Sequence, residues 1–469
     1  MSRNRVDRRV FLRCGAVAAA SLGPGAAAAR SAPPESADMY REPARDVPVV
    51  EHADVLVCGA GPAGVAAAIA AARAGAKTRL IDVNGCLGGV WTAGLLSWIL
   101  DAGNKSGIMR EMLDELDRRG GLSRHGGLGY DVERMKLMLE ATCTEAGVKI
   151  QLHTRVVAAA KNDANRLTLA VTESKSGRQA WSADAFVDAS GDGDLAAFAG
   201  CGFDYGREGS GALQPLSMIV LLAGLHPEGV ARFVRGLAEP LGERNPKGRL
   251  LEEMRRAGVD PSYAQPTLFY IRDGLFCMMA NHEYGVSATD AAQISDATLR
   301  ARVEVHRLVE ALRGLGDPWT DVQIIASPEH IGVREGRRIH GHYVVSTGDL
   351  VEGARHDDAV CRVTFPVDVH STDPRKEKGI MREGVRAKPY DIPYRALIAR
   401  DVDGLLVAGR CISGDFIAHS SYRVTGNAVA MGEAAGAAAA LAARSKRRPQ
   451  DVPWPEIRGT LQRASETTA

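Results

Sequence analysis

The segment that most restricts how this chain can fold lies just past residue 50. Ala53-Asp54-Val55-Leu56-Val57-Cys58 is a short apolar run of the kind that forms a buried strand. It runs straight into Gly59-Ala60-Gly61-Pro62-Ala63-Gly64. Val65 to Ala74 then reads as an Ala-rich helix closed by Gly75, and Lys77 to Ile81 as a second strand ending at the acid Asp82. Each part has a physical purpose. Gly59 allows a tight turn, Gly61 lets the backbone approach a pyrophosphate, and Gly64 lets the helix lie close to the strand. The helix N-terminus, at Pro62 and Ala63, turns its partial positive charge toward the phosphates. Asp82, followed by Val83, stands where a carboxylate accepts from ribose hydroxyls. A glycine triplet alone says little. Strand, glycines, helix, strand and acid in this order specify a dinucleotide site in a Rossmann-like α/β domain.

Shortly after Asp82 come Gly85-Cys86-Leu87-Gly88-Gly89. The Gly88-Gly89 pair resembles the extended flavoprotein fingerprint of the glutathione-reductase-like group, and no second G-x-G-x-x-G follows that would mark a separate NAD(P) domain. Further blocks carry the likeness: Val132 to Leu139 as a helix, Val148 to Val157 as a strand, Phe186-Val187-Asp188-Ala189-Ser190-Gly191, Gly404 to Arg410, and Arg423-Val424-Thr425-Gly426-Asn427 opening an Ala-rich helix. From about residue 53 to 443 the chain resembles the broad FAD-dependent oxidoreductase family related to the flavoprotein subunits of fumarate reductase and succinate dehydrogenase.

The resemblance implies FAD as cofactor and a set of contacts. The 148–157 strand packs beside the first, with the backbone at Arg155 and Val156 meeting the adenine. The strand ending at Ser190-Gly191 crosses under the dinucleotide. The returning strand ends at Gly409-Arg410, and Asp415 reaches the ribityl–pyrophosphate portion. The helix at Gly426-Asn427 points its N-terminus at the flavin pyrimidine, where its dipole favours negative charge on the reduced ring.

The implied architecture is a discontinuous FAD-binding domain, 51–205 and 390–446, interrupted by an α+β substrate or cap domain at 206–389. Helices are expected near 228–237 and 291–314, and residues 447–469 read as a solvated tail. Leu167 to Val171 and Gln179 to Ala183 read as strands of a small β-meander.

Asp7-Arg8-Arg9-Val10-Phe11-Leu12-Arg13 looks like a twin-arginine export motif, with a weakly apolar run to Ala29 behind it. Residues 1–32 are read as that signal and 33–50 as a linker. The twin-arginine machinery carries folded proteins, which suits a cofactor loaded before export to the periplasm or the outside. A formal net charge of +1 gives no general attraction to nucleic acid. Eight scattered cysteines form no C-x-x-C pair, and Asp188, Asp192 and Asp194 fit a turn and helix cap, so no metal site is expected.

For the chemistry, His419 is the first candidate to handle a proton, Arg423 to hold a substrate carboxylate, and Arg337 to assist; Arg334 and His370 are lesser candidates. These point to a dehydrogenase or oxidase of a small organic molecule, passing electrons to oxygen, a quinone or a redox protein. The alternatives are a reductase of an activated C=C, a flavin monooxygenase fed by NAD(P)H or an external reductase, and an FAD-binding electron-carrier subunit.

Overall fold

The structure is a computed structural model that describes residues 40–125, 127–238, 241–272 and 274–466. The export signal expected at 1–32 lies outside the described residues. Everything below concerns one unit, Glu42–Ala469.

Strand β1 (Val49–Cys58) is central to a seven-stranded sheet. Its final residues Val55 to Cys58 are wholly buried, as their unbroken apolar run requires. Helix α1 (Pro62–Arg73) leads to β2 (Thr78–Ile81), which returns parallel with Val55 opposite Thr78 and Cys58 opposite Ile81. Helices α2 (Ile108–Arg118) and α3 (Val132–Glu145) follow, then β3 (Lys149–Gln151), β4 (Arg155–Lys161), β5 (Leu167–Ser174) and β6 (Gly177–Asp188). The sheet order is β3-β2-β1-β6-β5-β4.

One expectation changes here. The run 148–157 is not one strand beside β1. It breaks at His153, whose φ is 54°, and Thr154 N–H turns back to the Asp82 carbonyl at 2.8 Å. So β3 pairs with β2, and β4 lies at the far edge. The expected β-meander forms: β4, β5 and β6 pair antiparallel in turn, at the edge of this same sheet. β6 is one twelve-residue strand, antiparallel to β5 over its first half and parallel to β1 along its length.

After α4 (Asp194–Phe198) and β7 (Phe203–Asp204), the chain builds a second sheet. It contains β8 (Ile219–Ala223), α5 (Pro227–Val230), β9 (Val234–Arg235), α6 (Pro246–Arg256), β10 (Thr267–Arg272), β11 (Leu275–Met279), α7 (Ala291–Arg313) and β12 (Gln323–Ala326). The strands run β12-β8-β11-β10-β9 and carry their own core, including Val220, Phe276, Leu308 and Trp319. The α-helix expected at 228–237 ends at Val230 and continues only as a 3-10 turn, Ala231–Phe233, because Val234 and Arg235 become β9 and pair with β10.

Short elements lead back: β13 (Arg338–Ile339) beside β7, α8 (Thr347–Glu352), and β14 (Ala359–Val363) beside β15 (Tyr390–Pro393). β16 (Leu405–Val407) then joins the first sheet next to β6. Helices α9 (Phe416–Tyr422), α10 (Thr425–Ser445) and α11 (Trp454–Glu466) end the fold.

Helix α10 lies directly on α1. A Cβ at Gly432 would stand 1.9 Å from the Ala63 carbonyl oxygen, and one at Gly436 would stand 2.0 Å from that of Ala67. The expected solvated tail is instead part of the fold. Trp454 stacks on Tyr394 with ring centres 5.9 Å apart, and Ile457 is wholly buried. Their i, i+3 spacing gives α11 an apolar stripe. No described helix is long and apolar enough to cross a membrane.

Candidate active site

The carboxyl ends of β1, β6 and β16 converge on the start of α1. Gly59 adopts φ +99°, and a Cβ there would strike the Ala189 carbonyl at 2.4 Å. The turn after β1 therefore rests on the Ala189-Ser190-Gly191 turn after β6. Gly409 approaches from β16, its added Cβ 3.1 Å from that of Ala63. Gly88 N–H donates to Ala60 O at 2.7 Å, which places Gly89 against Gly61. A Cβ at Gly61 would meet nothing within 4 Å. Here the glycine leaves open space rather than avoiding a clash, as close approach of a phosphate demands.

Asp82, 6% exposed, accepts from Ala60 N–H through one oxygen and from Asn84 N–H at 2.7 Å through the other. Burial raises its pKa against the pull of these bonds. The exposed Val83 follows, and the start of β4 at Arg155 and Val156 lies next to this turn through the Thr154–Asp82 bond.

Helix α10 supplies the other end. Like α1, it begins with no side-chain cap and no acid in its first turn, leaving its dipole uncompensated. Thr425 Oγ1 and both amide atoms of Asn427 are buried without a hydrogen-bond partner among the described residues. Each buried polar atom left unsatisfied costs roughly 1–3 kcal/mol. The uracil-like edge of a flavin offers the matching donors and acceptors. Together with the open space at Gly61, these atoms fit FAD: Gly59 to Gly64, Gly88-Gly89 and Asp82 would hold its adenosine and phosphate portions, and Thr425 to Asn427 its ring. At Gly426 an added Cβ would lie 2.5 Å from the Leu100 carbonyl, so this turn packs on the segment before α2.

Behind the N-terminus of α10 is a buried charged cluster. His419 is wholly buried, and neither ring nitrogen has a hydrogen-bond partner among the described residues; Nδ1 lies 3.9 Å from Glu335 Oε2. Burial first, then the charges of Arg423, Arg338 and Arg410, push its pKa well down, so the ring is neutral. Glu335 is held by Arg338 at 2.6 Å and Gln214 at 3.1 Å. Arg423 donates to the Asp368 carbonyl at 2.8 Å, and burial lowers its pKa to about 10. Arg334 donates to Pro215 O at 2.9 Å and Ser217 Oγ at 2.7 Å. The structure thus brings Arg423 to His419, and Arg334 to Arg423, whose guanidinium is 3.4 Å from the Arg334 carbonyl.

It does not bring Arg337 to them. That guanidinium pairs with Asp194 at 2.8 Å and the Asp192 carbonyl at 2.9 Å. Arg410 pairs with Asp192 at 3.0 Å, behind the Gly191 turn. Both oxygens of Asp415 are occupied: one caps α9 at Ala418 N–H, 2.7 Å, and the other takes Thr347 Oγ1 at 2.8 Å and the Thr347 N–H.

The sequence reading missed the partners of His370. Its Nε2 is 3.3 Å from Asp368 Oδ2, and its Nδ1 is 3.0 Å from His282 Nε2. His282 Nδ1 is 3.1 Å from the Tyr284 hydroxyl, which donates to Ser262 O at 2.9 Å. Tyr263 lies on both imidazoles, 4.2 Å from His282 and 5.5 Å from His370 between ring centres. Burial, reinforced by Arg334, lowers both histidines, His370 to about 3. His282-Glu283-Tyr284 follows the second strand of a hairpin and matches no motif, so no local signal marks it.

No curated protein matches the chain at a significant level. Among solved structures, it is similar to a geranylgeranyl bacteriochlorophyll reductase-like protein of Thermoplasma acidophilum, at 14% identity over 89% of this chain and 83% of that one, TM-score 0.42. It is also similar to a flavin-dependent brominase, at 12% identity over 88% and 83%, TM-score 0.44. A third likeness is to the myxobacterial chondrochloren halogenase, at 13% identity over 88% and 79%, TM-score 0.41. The family model described as FAD dependent oxidoreductase matches residues 54–461, which takes in both sheets and every element of the site just described. The chain belongs to the FAD-dependent oxidoreductase family, and it is an FAD-binding enzyme.

Proposed function

We propose that this enzyme oxidises a small organic substrate bearing a carboxylate. The observation that carries this reading is the neutral, buried His419, whose ring nitrogens have no hydrogen-bond partner among the described residues, beside Arg423, to which Arg334 is in turn a charged neighbour. FAD, when bound, supplies the redox chemistry by accepting a hydride at N5. Arg334 makes its hydrogen bonds to a carbonyl, a hydroxyl and a thioether, none of them a carboxylate, so it retains charge to offer an anion. Arg423, already on the Asp368 backbone, orients that anion from the other side. The lone pair of His419 takes the hydroxyl proton of the substrate, because burial keeps the ring uncharged.

The same two arginines also suit an enoate, and the resemblance to fumarate reductase flavoproteins makes reduction of an activated C=C the second reading. Electrons pass to oxygen, a quinone or a redox protein. The Arg8-Arg9 motif supports export by the twin-arginine route to the periplasm or beyond.

The test is the visible spectrum of the protein lacking residues 1–32, with hydroxy acids and dicarboxylates added anaerobically. Bleaching of the flavin bands by one of them supports oxidation. Bands that never bleach, but return with an enoate after chemical reduction, establish the reductase. A colourless protein that takes up no FAD overturns both.

A further inference from the structure

Asp368, His370, His282 and Tyr284 form a hydrogen-bonded series with contacts of 3.3, 3.0 and 3.1 Å. Its inner end adjoins the flavin end of the site. Arg423, bonded to the Asp368 backbone and 3.9 Å from its carboxylate, is followed by Val424, the cap of α10. Its outer end differs. Tyr284 is only half-buried, and burial first, then the charges of Glu304 and the exposed Glu377, raise its phenol pKa. Other charged or titratable groups facing the pair are Arg334, Arg423 and Tyr263.

Two arrangements of protons satisfy this series. With the Tyr284 hydroxyl donating to Ser262 O, His282 Nδ1–H donates to Tyr284, His370 Nδ1–H donates to His282 Nε2, and His370 Nε2 turns a lone pair toward Asp368. With His370 Nε2–H donating to Asp368, His282 Nε2–H donates to His370 Nδ1 and the Tyr284 hydroxyl to His282 Nδ1. One proton passed along the series converts the first arrangement into the second.

We infer that these four residues are a one-proton relay between the flavin end of the site and the protein surface. A proton arriving beside Asp368 forms an N–H bond at His370 Nε2. The His370 Nδ1–H bond breaks as His282 Nε2–H forms, and the His282 Nδ1–H bond breaks as an O–H bond forms on Tyr284. Tyr284 releases its original proton to solvent beside Glu304 and Glu377. One proton enters, one leaves, no charge is stranded, and the reverse sequence delivers a proton inward. The inference rests on FAD standing at α10, but not on the identity or direction of the substrate reaction.

The experiment uses the FAD-loaded chain, photoreduced and desalted, mixed with ferricyanide in weak buffer containing phenol red. Two ferricyanide ions take two electrons and no proton, so the dye reports protons leaving the protein while flavin absorbance reports oxidation. In the unaltered protein the two signals should coincide. In His282→Gln and His370→Gln, proton appearance should lag flavin oxidation by about tenfold or more, the scale of a lost proton-transfer group. Proton release that keeps pace in both variants overturns the relay. Should these variants fail to hold FAD, nitrogen-15 NMR of the unaltered holoprotein decides. The same tautomer at both His282 and His370, Nδ1–H or Nε2–H, supports the relay, and opposed tautomers, which share no proton, overturn it. A chain that takes up no FAD fails before ferricyanide is added, so that failure belongs to the cofactor reading.

Discussion

His370 Nδ1 lies 3.0 Å from His282 Nε2, although the two residues are 88 positions apart in the chain. Both rings are buried and neutral, with His370 lowered from the ordinary 6.5 to about 3. A histidine depressed in the folded state stabilises the fold above its unfolded pKa. That contribution is lost as pH falls through 6.5 toward 3. Between pH 6.5 and 5 the protein should therefore lose ~1–2 kcal/mol at this residue. Urea unfolding at several pH values should show a shallower loss in His370→Gln than in the unaltered chain.

Asn427 should separate stability from cofactor binding. Its two buried amide atoms have no hydrogen-bond partner among the described residues, so Asn427→Leu removes a desolvation cost while keeping the volume. Thermal unfolding without FAD should rise or stay level. FAD affinity, followed by fluorescence quenching, should fall by about tenfold, the worth of one good hydrogen bond to the ring.

Gly61 and Gly64 should fail in opposite ways. A Cβ at Gly61 meets nothing within 4 Å, and its backbone is extended (φ −66°, ψ −175°), so Gly61→Ala should fold normally and lose FAD. A Cβ at Gly64 would lie 1.7 Å from Gly59 O, so Gly64→Ala should lose folded protein itself. Circular dichroism beside flavin content of the purified variants distinguishes the two.

The α1–α10 contact sets a further limit. Gly436→Ala would force its methyl to 2.0 Å from Ala67 O, pushing two helices apart, and should destabilise by ~1–3 kcal/mol in chemical denaturation. Gly61→Ala, with no such neighbour, is the internal control.

Glu433 offers the opposite pH dependence to the histidines. Burial raises its pKa from 4.5 to about 7, with Glu111 adding to the effect. A carboxyl raised in the folded state contributes stability below 4.5 that is lost as pH climbs through 7. Glu433→Gln, which can still accept from Ile108 N–H, should be more stable than the parent by ~1–3 kcal/mol at pH 8 and no better at pH 4.5. A melting series across that range checks it.

The strand–glycine–helix–strand unit and the final Ala-rich helix were legible because their logic is local. Gly59 needs φ +99° for a turn between adjacent elements, and the apolar run Val55–Cys58 must be buried wherever the sheet lies. Residue types at short spacing determined the dinucleotide site and the family. What lay beyond reach depended on which distant segments meet. Arg337 was a sound catalytic candidate until packing set Asp194 against it. Asp415 is drawn into capping α9 and holding Thr347, a partner 68 residues away. The GxxxG spacing of Gly432 and Gly436 is visible in the chain, but only α1 lying on it shows why a side chain cannot be there. The Asp368–His370–His282–Tyr284 series joins two loops that no motif links. Tertiary structure decided it, because a hydrogen bond depends on separation in space, and the sequence records only separation along the chain.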